Sequence, residues 1–556
     1  MAYTTKVITD TSPDFDSNPK TITEDGFPYS VEIGNLDANT GYYTKAEIWQ
    51  DGTLNDTSEV ETFQTLKAGS ITLTFVSTVR NGDDYVVTYT VASTYALSSA
   101  ILTTNNTNFQ GAISGNSIVF TVSGLTQDNT YLYNITAIDI YAETGTADGR
   151  ITTEHDYSQD YFTITNTSNG NNTIGIRTES NNPIHSMTVD VSTDNGSSWT
   201  SKTTTLSGNN FVVTLATLAP GSSLLIRHTG TWYPGAFTYI ESTASIEASG
   251  NVDSLVYGDN FLANSSTALP NNAYMSLFDK NTHIQSARNL VIQHTNLPNK
   301  CMESMFQGCT SLTTAPDLSS ITSVGYYSMR NMFRECTSLT TAPDLSNINS
   351  VGDYGMWNMF RECTSLTTMP DLSNVVSVGS RGMEGMFYQC DRLVNVSDFD
   401  SLIRVGDYGF QNAFGSCKSL ETAPNFNSVA TVGVHAFDQL FTWDGNLKSD
   451  AGFNSLEKVS DYTFYRAYCD CTSLKTGSDI RRITAAGRVA FAGMYQGCSS
   501  LLEAYAPTIT WDTSKTKNWL SGVHNTGELY ADPSIASSIP TSDASGCPTG
   551  WTVKTA

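Results

Sequence analysis

Ten cysteines and seven histidines are the residues with the most chemistry to offer, and their spacing argues against most of it. Seven of the cysteines fall at 309, 336, 363, 390, 417, 471 and 498, all on one 27-residue step, and Asp444 holds the register that has no cysteine. A zinc site needs two correctly spaced pairs of ligands, and Cys469-Asp470-Cys471 supplies one. The histidines, His155, His185, His228, His283, His294, His435 and His524, are scattered and build no HExxH. Neither a phosphate-cradling glycine loop nor a nucleophile elbow is present. Asp194-Asn195-Gly196 brings one carboxylate, far short of a calcium shell, so a hairpin turn is the simpler reading. Carboxylate pairs for glycoside hydrolysis are defined in space rather than in sequence, which keeps an enzyme of surface glycans as a distant reading. The expectation is a protein with no catalytic residues, no metal and no cofactor.

A binding surface is more concrete. Nine residues before each repeat cysteine, or its Asp444 equivalent, stand Tyr327, Tyr354, Arg381, Tyr408, His435 and Tyr462, with Val489 ending the series. Trp357 and Tyr465 lie three residues further along their own repeats. In a stack of coils these positions line up, spanning roughly 24 Å at about 4.8 Å per coil. Such a strip suits a glycan chain that stacks on rings and bonds to their polar tips. The competing reading is that the tyrosines are half-buried packing at the coil edge.

The element that must position this strip is the repeat itself. Met332-Phe333-Arg334-Glu335-Cys336-Thr337-Ser338-Leu339 recurs almost unchanged at 305–312 and 359–366, each followed by a Pro-Asp-Leu-Ser turn. Val324, Val351, Val378, Val405, Val432, Val459 and Ala486 share a second register. Counting from Cys309 to Cys498 predicts a solenoid of eight 27-residue coils with one short strand and one helical or irregular turn each. With Val-Gly, an apolar pair and Cys-Thr-Ser-Leu in each coil, the array resembles BspA-like leucine-rich repeats. That resemblance implies a surface-adhesion role, and it extends to Gly250–Phe261 before the array and to Asn518–Val523 and Gly550–Val553 after it. One coil alone buries too little to offset its chain entropy, so stacking and two caps are required. The aligned cysteines point in parallel, which reads as reduced, buried thiols rather than disulfides. Whether Cys301 and Cys547, outside the ladder, are exposed is left open by the sequence.

Residues 1 to about 260 are rich in Thr, Ser, Asn, Val and Tyr, with runs such as Ser70–Val76 that alternate at period two. Alternation with closely spaced turns predicts β-sandwiches. Leu36-Asp37-Ala38-Asn39-Thr40-Gly41-Tyr42 and Leu125-Thr126-Gln127-Asp128-Asn129-Thr130-Tyr131 place Leu and Tyr six apart, which resembles the tyrosine corner of fibronectin type III domains. The fold class expected is therefore mainly β, with tandem fibronectin III or immunoglobulin-like sandwiches followed by a leucine-rich-repeat solenoid. The expected domains are 1–67, a truncated fibronectin III-like anchoring unit with an open edge; 68–155, a complete one; 156–260, a sandwich-like unit capping the solenoid; 261–504, the repeats; and 505–556, a C-terminal cap.

Composition narrows the partners. The 556 residues carry 29 Lys and Arg against 54 Asp and Glu, a formal net charge of −25. Nucleic acid needs a basic stripe and an anionic membrane a polybasic patch, so both are disfavoured, and no apolar stretch is long enough to insert. The N-terminus lacks the basic and apolar regions of a signal peptide and the C-terminus lacks an anchoring tail. These features favour a phage virion surface protein, a fibre, spike or capsid decoration. Its N-terminal β units would meet other virion proteins and its repeats a host-surface glycan or protein. A bacterial cell-surface adhesin at an extracellular location is the alternative. A homo-oligomer fits either, although no heptad stalk enforces one.

Overall fold

The computed structural model describes residues 3–10, 20–25, 41–50, 53–57, 61–64, 70–81, 84–125, 130–152, 160–179, 186–228, 238–264 and 268–556, the first five segments as backbone strands. The chain divides into two compact units, 1–156 and 157–556.

In the first unit, β1 (Tyr3–Asp10), β2 (Lys20–Asp25), β3 (Gly41–Gln50), β4 (Thr53–Thr57) and β5 (Glu61–Gln64) form one antiparallel sheet in the order β2-β1-β3-β4, with β5 also on β3. Eight further strands build two four-stranded sheets. β6 (Ile71–Asn81), β7 (Asp84–Ser93), β10 (Ala112–Ser114) and β11 (Ser117–Val122) pair as β10-β11-β7-β6; β8 (Leu97–Thr104), β9 (Thr107–Gln110), β12 (Thr130–Asp139) and β13 (Thr144–Thr152) pair as β13-β12-β8-β9. Alternation works as the sequence suggests: Tyr85, Val87, Tyr89 and Val91 of β7 meet Leu102, Tyr133 and Ile135 in one core. The buried hydroxyls of Tyr89 and Tyr133 bond at 3.1 Å. Most of the first Leu-to-Tyr pattern and the middle of the second (126–129) lie outside the described residues.

The second unit opens with β14 (Phe162–Asn166), β15 (Asn172–Glu179), β16 (Thr188–Ser192), β17 (Thr200–Thr203), β18 (Thr205–Ser207), β19 (Asn210–Leu218), β20 (Ser223–His228), β21 (Thr238–Ser242) and β22 (Ile246–Asn251). They form two sheets, and both seat on the first coil. β22 pairs in parallel with β23 (Ile284–Val291), which makes β23 the outer strand of β17-β16-β20-β14-β22-β23. From the other sheet, β18-β19-β15-β21, Ile240 donates its N–H to Leu277 O at 2.7 Å and accepts from Asn281 Nδ2 at 2.9 Å. The two sheets thus hand their backbone hydrogen bonds to a parallel ladder, so the end of the array is not an exposed edge. Under the join, buried Asp253 accepts from Tyr274 Oη and meets His294 Nε2 at 2.8 Å. Asp194 lies in the turn that joins the antiparallel strands β16 and β17. Its carboxylate accepts from Ser192 Oγ at 2.6 Å and from Ser198 Oγ and N at 2.5 and 2.9 Å, bonds that hold it at about 2.

From there the chain coils. Two-residue strands at Asn296–Leu297 (β24), then Ser323–Val324, Ser350–Val351, Ser377–Val378, Arg404–Val405, Thr431–Val432, Lys458–Val459 and Ala485–Ala486 (β25–β31), stack at the 27-residue step. The rest of each coil is not helical. In 327–336, Met329, Asn331, Phe333 and Glu335 donate their N–H groups to Gly355, Trp357, Met359 and Arg361 of the next coil, at 2.8–2.9 Å. The residues between them close tight turns, such as Arg330 N to Tyr327 O and Met332 N to Met329 O, both 3.2 Å. Every fourth residue, Tyr327, Asn331 and Glu335, has φ near +60°. This alternation sends half of the amides to the neighbour, which an α-helix cannot do, and explains why a single coil has no stability of its own.

Inside, the repeat positions become ladders. Phe278, Phe306, Phe333, Phe360, Phe387, Phe414, Phe441, Tyr468 and Tyr495 stack face to face at 5.3–5.6 Å. Each ladder cysteine points its Sγ at the carbonyl of the ring residue one coil back, at 2.9–3.1 Å. The thiols are therefore weak donors as well as small apolar residues. All ten cysteines are free and buried, Cys301 and Cys547 among them. Burial pushes the thiols up, so we expect the native chain to give no rapid reaction with Ellman's reagent and the denatured chain to release ten thiols.

The solenoid has about ten turns of 27 residues, two more than cysteine counting gives. The extra turns lie at its ends, where the consensus fails. Phe278 begins the ring ladder 28 residues before Phe306, and at the other end Tyr495 N donates to Trp519 O at 2.8 Å. β32 (Glu503–Tyr505), β33 (Gly527–Ala531) and β34 (Trp551–Thr555) then pair in parallel, with Ala504 opposite Leu529 and Leu529 opposite Val553. These steps are shorter than 27 and carry no ladder cysteine, so a search by period passes over them.

Candidate binding ridge

The strip positions share a backbone state. Tyr327, Tyr354, Arg381, Tyr408, His435, Tyr462 and Val489 all have φ of +56° to +58°. Each sits where the chain leaves its strand and begins the turn segment, and the left-handed conformation throws the side chain to the coil's edge. All are half-buried. Val489, β-branched, is the residue least suited to that conformation, and the aromatic series stops there.

Along the axis the side chains lie on one another. Tyr327 and Tyr354 stack at 4.6 Å, Tyr408 and His435 at 4.6 Å, and His435 and Tyr462 at 4.5 Å, with planes within 16°. Arg381 fills the coil between the two aromatic runs, 4.1 Å from the Tyr408 ring and 6.0 Å from that of Tyr354. Lys300, one coil earlier, lies 5.6 Å from the Tyr327 ring. The structure thus brings all six strip residues into one ridge, but their faces are taken by neighbours and their edges remain for other contacts.

A second row flanks the ridge, and sequence reading picked out only two of its members. Three residues after each strip position come Glu303, Arg330, Trp357, Glu384, Gln411, Asp438 and Tyr465. Arg330 lies 4.5 Å from the Trp357 ring and 5.0 Å from that of Tyr327, and bonds Glu303 at 3.0 Å. Glu384 meets Arg381 at 2.6 Å, while Asp438 takes His435 Nδ1 at 2.6 Å and Gln411 Nε2 at 2.9 Å. Trp357 leans on Tyr354 at 5.5 Å and Tyr465 on Tyr462 at 5.9 Å. Burial pushes the Glu303, Glu384 and Asp438 carboxyls up, opposed by Arg330, Arg381 and His435 respectively. Burial also pushes the Tyr327 phenol up to about 12, helped by its bond with Tyr326. The signal that would have found this row was the same 27-residue register, hidden because its residue types vary.

The outer backbone is tied in alternate coils. Asp353, Asp407 and Asp461 each accept an N–H of the next coil, from Ser380, Val434 and Arg488, at 2.7–2.8 Å. The arrangement has cations and phenols at the edge and carboxylates behind them. It offers hydrogen bonding along a rigid line and assembles no nucleophile with a base. Of the Cys469-Asp470-Cys471 pair, Cys471 serves the ladder, whereas Cys469 lies 3.5 Å from Asp470 Oδ2.

Two family profiles match this array. Residues 276–403 match a family described as a Mycoplasma protein of unknown function, DUF285. Residues 411–507 match the BspA type leucine rich repeat region in six copies. Strands pair in parallel from β24 to β29 and again from β30 to β31, so the coils under both matches share one architecture. No curated protein matches the chain. Both matches lie within the solenoid, and neither supports a virion role or a fibronectin type III label for the N-terminal units. BspA-type repeat proteins are typically surface-exposed, which favours the adhesin alternative over the virion reading. Among the described residues no helix is long and apolar enough to cross a membrane.

Proposed function

We propose that this is a non-enzymatic, surface-displayed adhesin-type protein whose BspA-type solenoid presents the Tyr327–Tyr462 ridge to a partner. The observation that carries the reading is the ridge itself, a line of stacked rings and cations held over six coils by left-handed backbone positions. Folding alone does not call for large side chains there, since those conformations favour Gly or Asn. Leucine-rich-repeat solenoids are typically non-enzymatic protein-binding scaffolds, in keeping with an extended contact face. Because the ring faces are occupied, recognition runs through phenol, guanidinium and imidazole edges. Its partner is a hydroxyl-rich or acidic host surface, glycan or protein. The sheet orders of 71–152 support a fibronectin III-like spacer before the solenoid.

The test is binding of the purified chain to host cells and to immobilised surface glycoprotein, wild type against Tyr354→Ala/Tyr408→Ala. A loss of tenfold or more, with unchanged circular dichroism, is expected. Unchanged binding in a folded double variant overturns the ridge as the contact face. Antibody labelling of intact cells, as opposed to phage particles, tests the location.

A further inference from the structure

Gly175, in the middle of β15, is a glycine that the backbone does not call for. Its neighbours Ile174 and Ile176 belong to the core, so Thr173, Gly175 and Arg177 face the other side of the sheet. Its φ is outside the left-handed region, and among the described residues an added Cβ would meet a single heavy atom within 4 Å, Val213 O at 3.2 Å. The space above it is otherwise open. Glycine weakens a strand, and β15 also bulges here, its register against β19 shifting between Ile174 and Gly175. Both features mark places where something outside the sheet comes close to the backbone.

Across the sheet, Gly175 lies opposite Thr214 of β19 and Glu241 of β21, and Arg177 lies opposite Tyr239 of β21. Opposite side chains are about 5 Å apart, so these groups surround the glycine. Arg177 Nε donates to Glu241 Oε1 at 2.7 Å, and its guanidinium lies 4.0 Å from the ring of buried Tyr239. An ion pair is thereby fixed beside the glycine, with the Glu241 side chain still 53% exposed. The first coil, bonded to β21 through Asn281 Nδ2 and Ile240 O, closes the hollow on that side, where Asp279, Lys280 and His283 line it. Its volume is about 410 Å³.

We propose that this hollow is a binding site for a neutral saccharide, distinct from the ridge, in which a pyranose ring lies over Gly175 and two neighbouring hydroxyls engage the Arg177–Glu241 pair. One hydroxyl accepts from the guanidinium and the other donates to the carboxylate. Each sugar hydroxyl can do both, so a donor and an acceptor held side by side match a vicinal diol, and charge on both partners strengthens the bonds. The volume lies within the range of small-molecule sites. Arg177 and Lys280 are matched by Glu241 and Asp279, which gives the hollow no preference for an anion or a cation. A protein anchor would need a contiguous apolar pocket, and an added strand would need a free sheet edge, whereas Gly175 lies on a central strand with β19 on one side and β21 on the other.

The experiment screens the full chain on an array of neutral oligosaccharides built from galactose, glucose, mannose, fucose and N-acetylhexosamines, with sialylated counterparts, and titrates the strongest binder by calorimetry. A neutral sugar should bind saturably. Gly175→Leu, which fills the hollow, should abolish that binding. Glu241→Gln, at an exposed side chain whose change spares the core, should weaken it tenfold or more with unchanged circular dichroism, and so decides the matter even where Gly175→Leu does not fold. Tyr354→Ala/Tyr408→Ala should leave it unchanged, so that this site and the ridge stand or fall separately. The proposal is overturned by an array on which no neutral sugar binds, by binding confined to the sialylated counterparts, or by affinity within twofold of wild type in Glu241→Gln. Loss of the sugar in the ridge double variant would also overturn it, by moving the contact to the ridge.

Discussion

Replacing Asp444 with cysteine should stabilise the solenoid by about 2–4 kcal/mol at pH 7, the order of penalty expected for a buried carboxyl without full compensation. Asp444 occupies the one ladder register without a thiol and is fully buried. Its Oδ1 accepts the Cys417 N–H at 2.5 Å, while Oδ2 has no partner. Burial pushes its carboxyl well above the ordinary 3.8, the Cys417 amide opposing weakly. A carboxyl whose pKa is raised by folding takes up protons more readily in the folded chain. Well below pH 3.8 both states are protonated and the ionisation penalty is absent. As pH rises past 3.8 the unfolded chain ionises first, so the native state loses stability until the folded group ionises as well. The advantage of Asp444→Cys should therefore be smallest near pH 3.5 and grow toward neutrality. Urea unfolding of both chains at several pH values checks this; an equal advantage at pH 3.5 and 7 would mean that packing, and not ionisation, separates them.

Truncating the middle of the ring ladder should have the largest destabilising effect. Phe360 is fully buried and stacks at 5.5 Å on Phe333 and at 5.6 Å on Phe387. Phe360→Ala should cost about 3–5 kcal/mol, the usual range for a large core truncation. In a repeat array each coil holds only its neighbours, so a weak coil also uncouples what lies on either side. Coils tied to the β14–β22 sheets should outlast those beyond 360, and urea unfolding of the array should split into two steps. Glu457→Ala, at an exposed residue whose ion pair with Arg482 is 3.8 Å long, should move stability by less than about 0.5 kcal/mol. A single sharp transition in Phe360→Ala, shifted no more than in Glu457→Ala, would contradict the nearest-neighbour account.

Much of this architecture was legible because a strict period is a strong signal. Cys309 to Cys498 mark coils by identity alone, and the valines of Val324 and its equivalents mark the strand. The ends were not legible for the same reason. Trp519 and Trp551 continue the stack through indole N–H bonds to Gly546 O and His524 O, at 2.9 and 2.7 Å, in residues that repeat nothing. The ridge was half legible. The register predicted that Tyr354 and Tyr408 share an edge, but not that the rings would consume one another's faces, which depends on a ring stacking distance set by the coil rise.

By itself the sequence determined the mainly β class, the 27-residue solenoid and the list of residues that share each line, because all of these follow from periodicity, and periodicity is local. Only the tertiary structure decided that each thiol reaches a carbonyl one coil back, that Asp444 sits in that ladder with an unpartnered oxygen, and that the Tyr388 ring lies over Gly415. Each of these depends on which groups of adjacent coils face one another, and that is settled by stacking, when half of every turn's amides must find acceptors in the next coil.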